Sequence, residues 1–326
     1  MKKLFKILGI LLIVIIVFAA GGYIYLQAAF PKVSAAPDLK IEPTPERLER
    51  GKYLANSYAF CIDCHSTRDI NKFSMPVVPG TEGKGGDDYG EGAGFVPASN
   101  ITSDKETGLG NWTDGEIFRA ITSGVNKDGK FLAPMMPYAL FSKMDKEDLY
   151  SIIAYIKTLP AIKNKVPEKD LKFPVNLIFR TIPADVTEYG KRPDGLDKIK
   201  QGEYLGYGCK FCHSPSEKGE ILPGMEFAGG MEFPMPDGTI IRSSNLTPDK
   251  QTGIGNMTKE IFMAKFKSCI DVTGLDPKSR GYNSPMAWNF IAKTSTDSDL
   301  EAIYEYLMAQ KPVNNKIEKI TTQGLK

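Results

Sequence analysis

From Ile7 to about Leu26 the chain is almost continuously apolar, and no acidic residue interrupts the run. About 20 such residues span a bilayer as a helix, whereas the apolar core of a cleaved secretory signal runs to roughly 7–15. The length favours an uncleaved anchor; under the other reading, Ser34-Ala35-Ala36 offers a small-residue cleavage site. Lys2, Lys3 and Lys6 precede the run, which predicts a cytoplasmic N-terminus and export of everything after about Pro31. Farther on, the apolar period becomes helical. Leu149, Ile152, Ile153 and Ile156 recur at i, i+3, i+4, i+7, and Leu300, Ile303, Tyr304 and Leu307 repeat that stripe. Such spacing predicts one buried face on each of two helices. Asp145 or Asp148 opens the first and Thr296 or Asp299 the second, while Pro160 and Pro312 close them. Thr113 and Glu116 have capping-box spacing and predict another helix start. The glycine-rich stretch from Pro79 predicts a loop. The expected architecture is all-α, with short helices joined by long loops.

These elements occur twice. Ser99 to Thr113 (SNITSDKETGLGNWT) pairs with Ser244 to Thr258 (SNLTPDKQTGIGNMT), and a G-x-Y-L string stands at Gly51–Leu54 and at Gly202–Leu205. At 326 residues the chain accommodates two domains. The predicted division is an anchor or signal over 1–30, a linker over 31–43, a first domain over 44–160, a connector over 161–195, a second domain over 196–313 and a tail over 314–326. The connector holds LKFPVNLIFRTIP from Leu171, too apolar for a plain tether, and is expected to pack across the domain junction. With 41 Lys+Arg against 39 Asp+Glu there is no basic excess, so nothing argues for a polyanion partner and no nucleic acid is expected.

The cysteines sharpen the picture. Four of the five, and both histidines, fall in two copies of one string: Cys61-Ile62-Asp63-Cys64-His65 and Cys209-Lys210-Phe211-Cys212-His213. C-x-x-C-H is the attachment signature of c-type haem. Residues three apart on a helical turn share a face, so both sulfurs can form thioethers to one haem while the adjacent imidazole meets the iron. Two covalently bound haem c groups are expected. Closed zinc sites would need four protein ligands each, more than the chain's Cys and His supply. A redox dithiol is expected near a βαβ pattern, which is absent from the sequence. Cys269 aligns with Val125, and that apolar counterpart predicts a packing role.

Both histidines are committed as proximal ligands, so bis-histidine coordination is excluded by counting, and methionine is the remaining usual choice. It should lie just before the last helix of each half. Met136 and Met286 are the selected axial ligands, with Met135 as the alternative in the first half and Met225, Met231 and Met235 as reserves. Pro137 would stiffen the first methionine turn, whereas Ala287 stands in its place in the second. Tyr138 and Trp288 are expected to pack, and Asn100 and Asn245 to brace turns.

Each half resembles a class I cytochrome c domain, with a first helix ending in CxxCH, a long middle, a methionine turn and a closing helix. NITSDKETGLGNWT and MPYALFSKMDKEDL are similar to stretches in the cytochrome c subunits of membrane-associated alcohol, aldehyde and gluconate dehydrogenases, and the likeness covers most of residues 44 to 313. It implies the same four axial residues, His65, Met136, His213 and Met286. It also implies electrons received from a quinoprotein or flavoprotein dehydrogenase and delivered to quinone or an oxidase. Those subunits commonly carry three haem domains, and this chain has two CxxCH strings.

The expected function is therefore electron transfer by a membrane-anchored dihaem cytochrome on the periplasmic side of a bacterial inner membrane, not catalysis. Two rivals stand beside it: a haem enzyme of the peroxidase or thiosulfate dehydrogenase type with one open iron, and a haem subunit of a terminal oxidase. The imperfect second methionine turn favours the enzyme reading, and the lack of a spare histidine for acid–base work opposes it.

Overall fold

The computed structural model describes residues 2–217, 220–235, 237–272, 275, 277 and 282–322. Helix α1 (Lys2–Ala29) buries none of its residues, and an 18-residue window within it has a mean hydropathy of 2.8. At about 1.5 Å per residue it is long enough to cross a bilayer.

The first half contains α2 (Pro45–Ala55), α3 (Cys61–Cys64), α4 (Asp114–Ser123), α5 (Tyr138–Phe141) and α6 (Lys146–Ile156); α7 (Val175–Arg180) lies in the connector. The second half contains α8 (Lys198–Leu205), α9 (Tyr207–Cys212), α10 (Lys259–Lys267), α11 (Trp288–Thr294) and α12 (Asp297–Met308). The opening helix of each half packs on the closing one, α2 on α6 and α8 on α12. Gly51 and Gly202 make this possible: a Cβ there would sit 1.8 Å from Ser151 O and 1.9 Å from Ala302 O, so only a bare backbone fits. The apolar stripes behave as their period requires, with Leu149, Ile152, Ile153, Leu300, Ile303 and Leu307 all buried.

Asp145 and Thr296 cap α6 and α12, and Thr113 forms a reciprocal capping box with Glu116. That frees the other two acidic candidates, which cross between the halves. Tyr204 Oη donates to Asp148 Oδ2 at 2.8 Å, and Tyr53 bonds Asp299 in the matching direction. The cores interlock as well: Phe290 of the second half packs against the first core, and Tyr58 and Phe60 of the first half pack against the second. Buried Cys269 packs with Phe73 and Val272, in keeping with its apolar counterpart Val125.

The fold is mostly helical, with short strands besides. β1 (Gly94–Phe95) pairs antiparallel with β2 (Asp170–Leu171), and β3 (Ser216–Glu217) with β4 (Glu220–Ile221). β5 (Glu232–Pro234), β6 (Thr239–Arg242) and β7 (Ile320–Thr322) form one sheet in that order. Thus the segment after each closing helix returns to its own middle loop, since Asn164 Nδ2 donates to Lys84 O (2.8 Å) and Asn315 Nδ2 to Ala228 O (3.0 Å).

The connector departs from expectation. It fastens to the first half through Tyr189, whose ring meets Phe118 at 5.5 Å, and through Arg192, which bonds Asp148. Its apolar stretch is not buried at the junction. Phe173, Ile178 and Ile182 stay 75%, 54% and 41% exposed, beside the end of α1, to which Arg180 is hydrogen-bonded.

Candidate haem attachment sites

Each C-x-x-C-H string is a helical turn. Cys61–Cys64 is α3, and Cys209 and Cys212 close α9; in both, the histidine that follows caps the turn through its backbone N–H. The two cysteines of each pair lie three apart, as the thioether geometry needs. None of them is paired in a disulfide. Burial pushes Cys61 and Cys209 up to about 12 and Cys212 up to about 11, and raises Cys64 too. Among the described residues, no three His, Cys, Asp or Glu side chains gather into a metal cage.

The histidines are aimed alike. His65 Nδ1 lies 2.7 Å from Ser99 O and His213 Nδ1 lies 2.8 Å from Ser244 O. A carbonyl only accepts, so Nδ1 carries the proton in both rings and Nε2 keeps its lone pair for a metal. A second-sphere bond of this kind fixes ring orientation and tautomer. Burial lowers both imidazole pKa values, partly opposed by these carbonyls, which favours the neutral ligating form. The sequence reading missed the part played by Ser99 and Ser244. Its only signal was that both open the repeated S-N-x-T string.

Around these turns the wiring repeats. Ser66 Oγ donates to Ile62 O and receives Gly83 N–H, as Ser214 Oγ donates to Lys210 O and receives Phe227 N–H. Asn100 and Asn245 each accept from the backbone two residues on, at Thr102 and Thr247, and donate to Ile162 O and Val313 O, so they brace turns as expected. Met136 packs against the first core alongside Cys61 and Trp112, and Met286 against the second alongside Cys209 and Met257. Buried Tyr138 and half-buried Trp288 pack two residues beyond these methionines. The Tyr138 hydroxyl is buried without a protein partner, the kind of orphan that a carboxylate-bearing group such as haem would satisfy. The residues present fit covalent haem at both turns: paired thiols, an oriented imidazole and an apolar surround holding a methionine.

The two turns also adjoin. A Cβ on Gly208 would lie 3.2 Å from Phe60 Cε2, and Phe60 stacks on Phe290 with ring centroids 6.1 Å apart. The Cys64 and Cys212 thiols are within electrostatic reach of one another. Asp63, inside the first string, is buried beside Arg68 at 3.6 Å, whereas its counterpart Phe211 is exposed. Burial raises the Asp63 pKa and Arg68 opposes that rise.

The chain has relatives among known proteins. The cytochrome c subunit of the quinone-dependent alcohol dehydrogenase of Gluconacetobacter polyoxogenes is 28% identical over 283 residues, covering 82% of this chain and 56% of that one. The chain is a homologue of dehydrogenase cytochrome c subunits. The cytochrome subunit of fructose dehydrogenase from Gluconobacter japonicus is 26% identical over 292 residues, 82% of this chain and 54% of its own. A protein described as a dihaem c-type cytochrome, from Cereibacter sphaeroides, is 26% identical over 225 residues, 66% of this chain and 72% of its own. The chain spans about half the length of the dehydrogenase subunits it matches. No protein-family model matches it.

Proposed function

We propose that this cytochrome c homologue carries two haem groups, one bound through Cys61 and Cys64 and one through Cys209 and Cys212. His65 and His213 are the proximal ligands and Met136 and Met286 the distal ones. A haem filled on both faces exchanges single electrons and leaves no open site for a substrate. The observation that carries the reading is the matched pair of turns, each with an imidazole whose Nδ1–H is spent on a backbone carbonyl. Because the turns adjoin, an electron entering at one half can leave from the other. The donor is a dehydrogenase of the kind whose cytochrome subunits the chain resembles, and the acceptor is quinone or an oxidase. The relay is not itself catalytic.

Ala287 does not support an open second iron. Its backbone (φ −76°, ψ 58°) repeats that of Pro137 (φ −81°, ψ 56°), so both methionine turns have one shape. Met136, and not Met135, packs against the first core. The exposed α1 supports membrane anchoring, and Lys2, Lys3 and Lys6 ahead of its apolar run support a periplasmic globular part.

Haem staining with spectral redox titration tests the proposal. Two covalent haems per chain are expected, and Cys61→Ala with Cys64→Ala should halve the count. Met136→Ala should open the first iron and lower its potential; an unchanged spectrum would move the ligand to Met135. A colourless exported protein would sink the proposal.

A further inference from the structure

The loop from Arg68 to Val78 follows the first attachment turn in sequence, and its tip, from Ile70 to Ser74, is built into the second half. Phe73 is almost wholly buried against Cys269 and Val272, with Trp288 beside them. The next residue, Ser74, is fully buried, and it and Met75 adopt left-handed backbone (φ +66° and +46°), which is costly for non-glycine residues and persists only where surrounding contacts hold it. Those contacts lead to one place. Ser74 Oγ lies 2.8 Å from Met286 O and 3.3 Å from Asn289 Oδ1, and donates to the nearer. Ser74 N–H donates to Asn283 Oδ1 at 3.1 Å, and Asn283 Nδ2 returns to Ile70 O at 2.8 Å. Arg68 Nη2 reaches Pro285 O at 3.4 Å. The first methionine turn has its own ring at Pro137 to preset φ, while the second has Ala287 with nearly the same angles and no ring. We infer that Ser74, supported by Arg68, is a positioning residue for Met286, supplying from the first half the restraint that Pro137 gives Met136. This inference rests on the reading of Met286 as the second distal ligand. The strength of that ligand then depends on the loop that leaves the first attachment turn.

The test is Ser74→Ala in the full-length haem-loaded protein, read by the methionine-to-iron charge-transfer band, the two midpoint potentials and carbon monoxide binding to the ferrous form. The second haem should lose band intensity, shift down in potential and bind carbon monoxide roughly fivefold faster, the factor expected for one lost hydrogen bond, while the first haem is unchanged. Adding Ala287→Pro, whose φ already suits proline, should restore all three. Unchanged second-haem readings, equal damage to both haems, or no recovery with proline would overturn the inference. Met286→Ala keeps the ligand reading separate: if that substitution leaves the band and both potentials untouched, Met286 is not a ligand and the proposed site itself is wrong.

A different observation points outward. Arg180 Nη1 donates to Gln27 O (3.3 Å) and Phe30 O (2.8 Å), tying α7 to the last turn of α1. Beside that joint, Phe173, Ile178 and Ile182 are exposed together with Tyr23 and Tyr25 of α1, and Lys172 is exposed next to Phe173. Aromatic and apolar groups flanked by a cation at the end of a spanning helix match the headgroup zone of an anionic bilayer. We propose that residues 172–182 lie in that zone and hold the first half against the lipid surface. This rests on α1 spanning the membrane. A nitroxide on Ile178→Cys, or on Phe173→Cys as a second variant, would be read in the full chain in phosphatidylethanolamine–phosphatidylglycerol vesicles. The label should be accessible to oxygen and shielded from a water-soluble nickel chelate, unlike one at exposed Asp128→Cys. Access to the chelate, or shielding from both reagents as under a protein partner, would overturn the proposal. A label at Val17→Cys that is open to the chelate would instead show that α1 does not span.

Discussion

Tyr53 and Tyr204 occupy matching places in the two halves, and each reaches across to the acidic residue opening the other half's closing stripe, yet the two crossings differ in kind. Asp148, which receives Tyr204, is fully buried and also held by both arms of Arg50 (2.9 and 2.7 Å) and by Arg192 (3.2 Å). Asp299, which receives Tyr53, also accepts from the amide of Gln201 (3.0 Å), the residue standing where the first half has Arg50, and no cation is paired with it among the described residues. One crossing is thus ionic and includes the connector; the other uses neutral donors. A repeat can keep its geometry while the charge that secures it is placed on one side only. The ionic side is where the connector must be fixed if the two attachment turns are to stay adjoined.

Asp148→Asn should break that difference most severely. It leaves Arg50 and Arg192 facing a neutral amide in a buried setting, at a cost of about 3 kcal/mol, and thermal denaturation should show it. Asp299→Asn, by the same measurement, should cost about 1 kcal/mol, the value of a neutral hydrogen bond; equal losses would refute the asymmetry. Next come Gly51→Ala and Gly202→Ala, where the halves should instead behave alike. Each added methyl meets a carbonyl oxygen at under 2 Å, so each should lose about 2–3 kcal/mol through forced separation of its helix pair. Unequal losses measured by denaturation would show that one helix pair can slide and the other cannot. The smallest contrast concerns caps. Thr113 has a reciprocal partner in Glu116, whereas Thr258 accepts from the N–H of Ile261, whose apolar side chain cannot return the bond. Thr113→Ala should cost about 1 kcal/mol and Thr258→Ala about half that, resolvable as a difference in melting temperature.

Much of this was readable in one dimension. The stripes ending in Ile156 and Leu307 are the buried faces of α6 and α12, and Asp145, Thr296 and Thr113 cap where their side-chain chemistry predicts. The C-x-x-C-H strings lie on helical turns, as thioether spacing requires. What escaped were contacts made by backbone. Ser99 and Ser244 orient the histidines through their carbonyls, a role any residue could fill, so side-chain identity carries no sign of it. The returning tails escaped for a different reason. IKNKV from Ile162 and VNNKI from Val313 were similar enough to align, but their short strands lack the alternation that marks a longer one. The connector's exposure is not legible in its pattern, because an apolar run says only that water is unfavourable and not what covers it.

By itself the sequence determined the two C-x-x-C-H turns and where helices start and stop, because both depend on residue type at separations of a few positions. Only the tertiary structure decided that the two turns face each other, that Asp148 and Asp299 exchange partners between halves, and that Ser74 reaches Met286. Those pairings join residues 56 to 246 positions apart, and at such separations chain periodicity carries no information about which groups come within a hydrogen bond of one another.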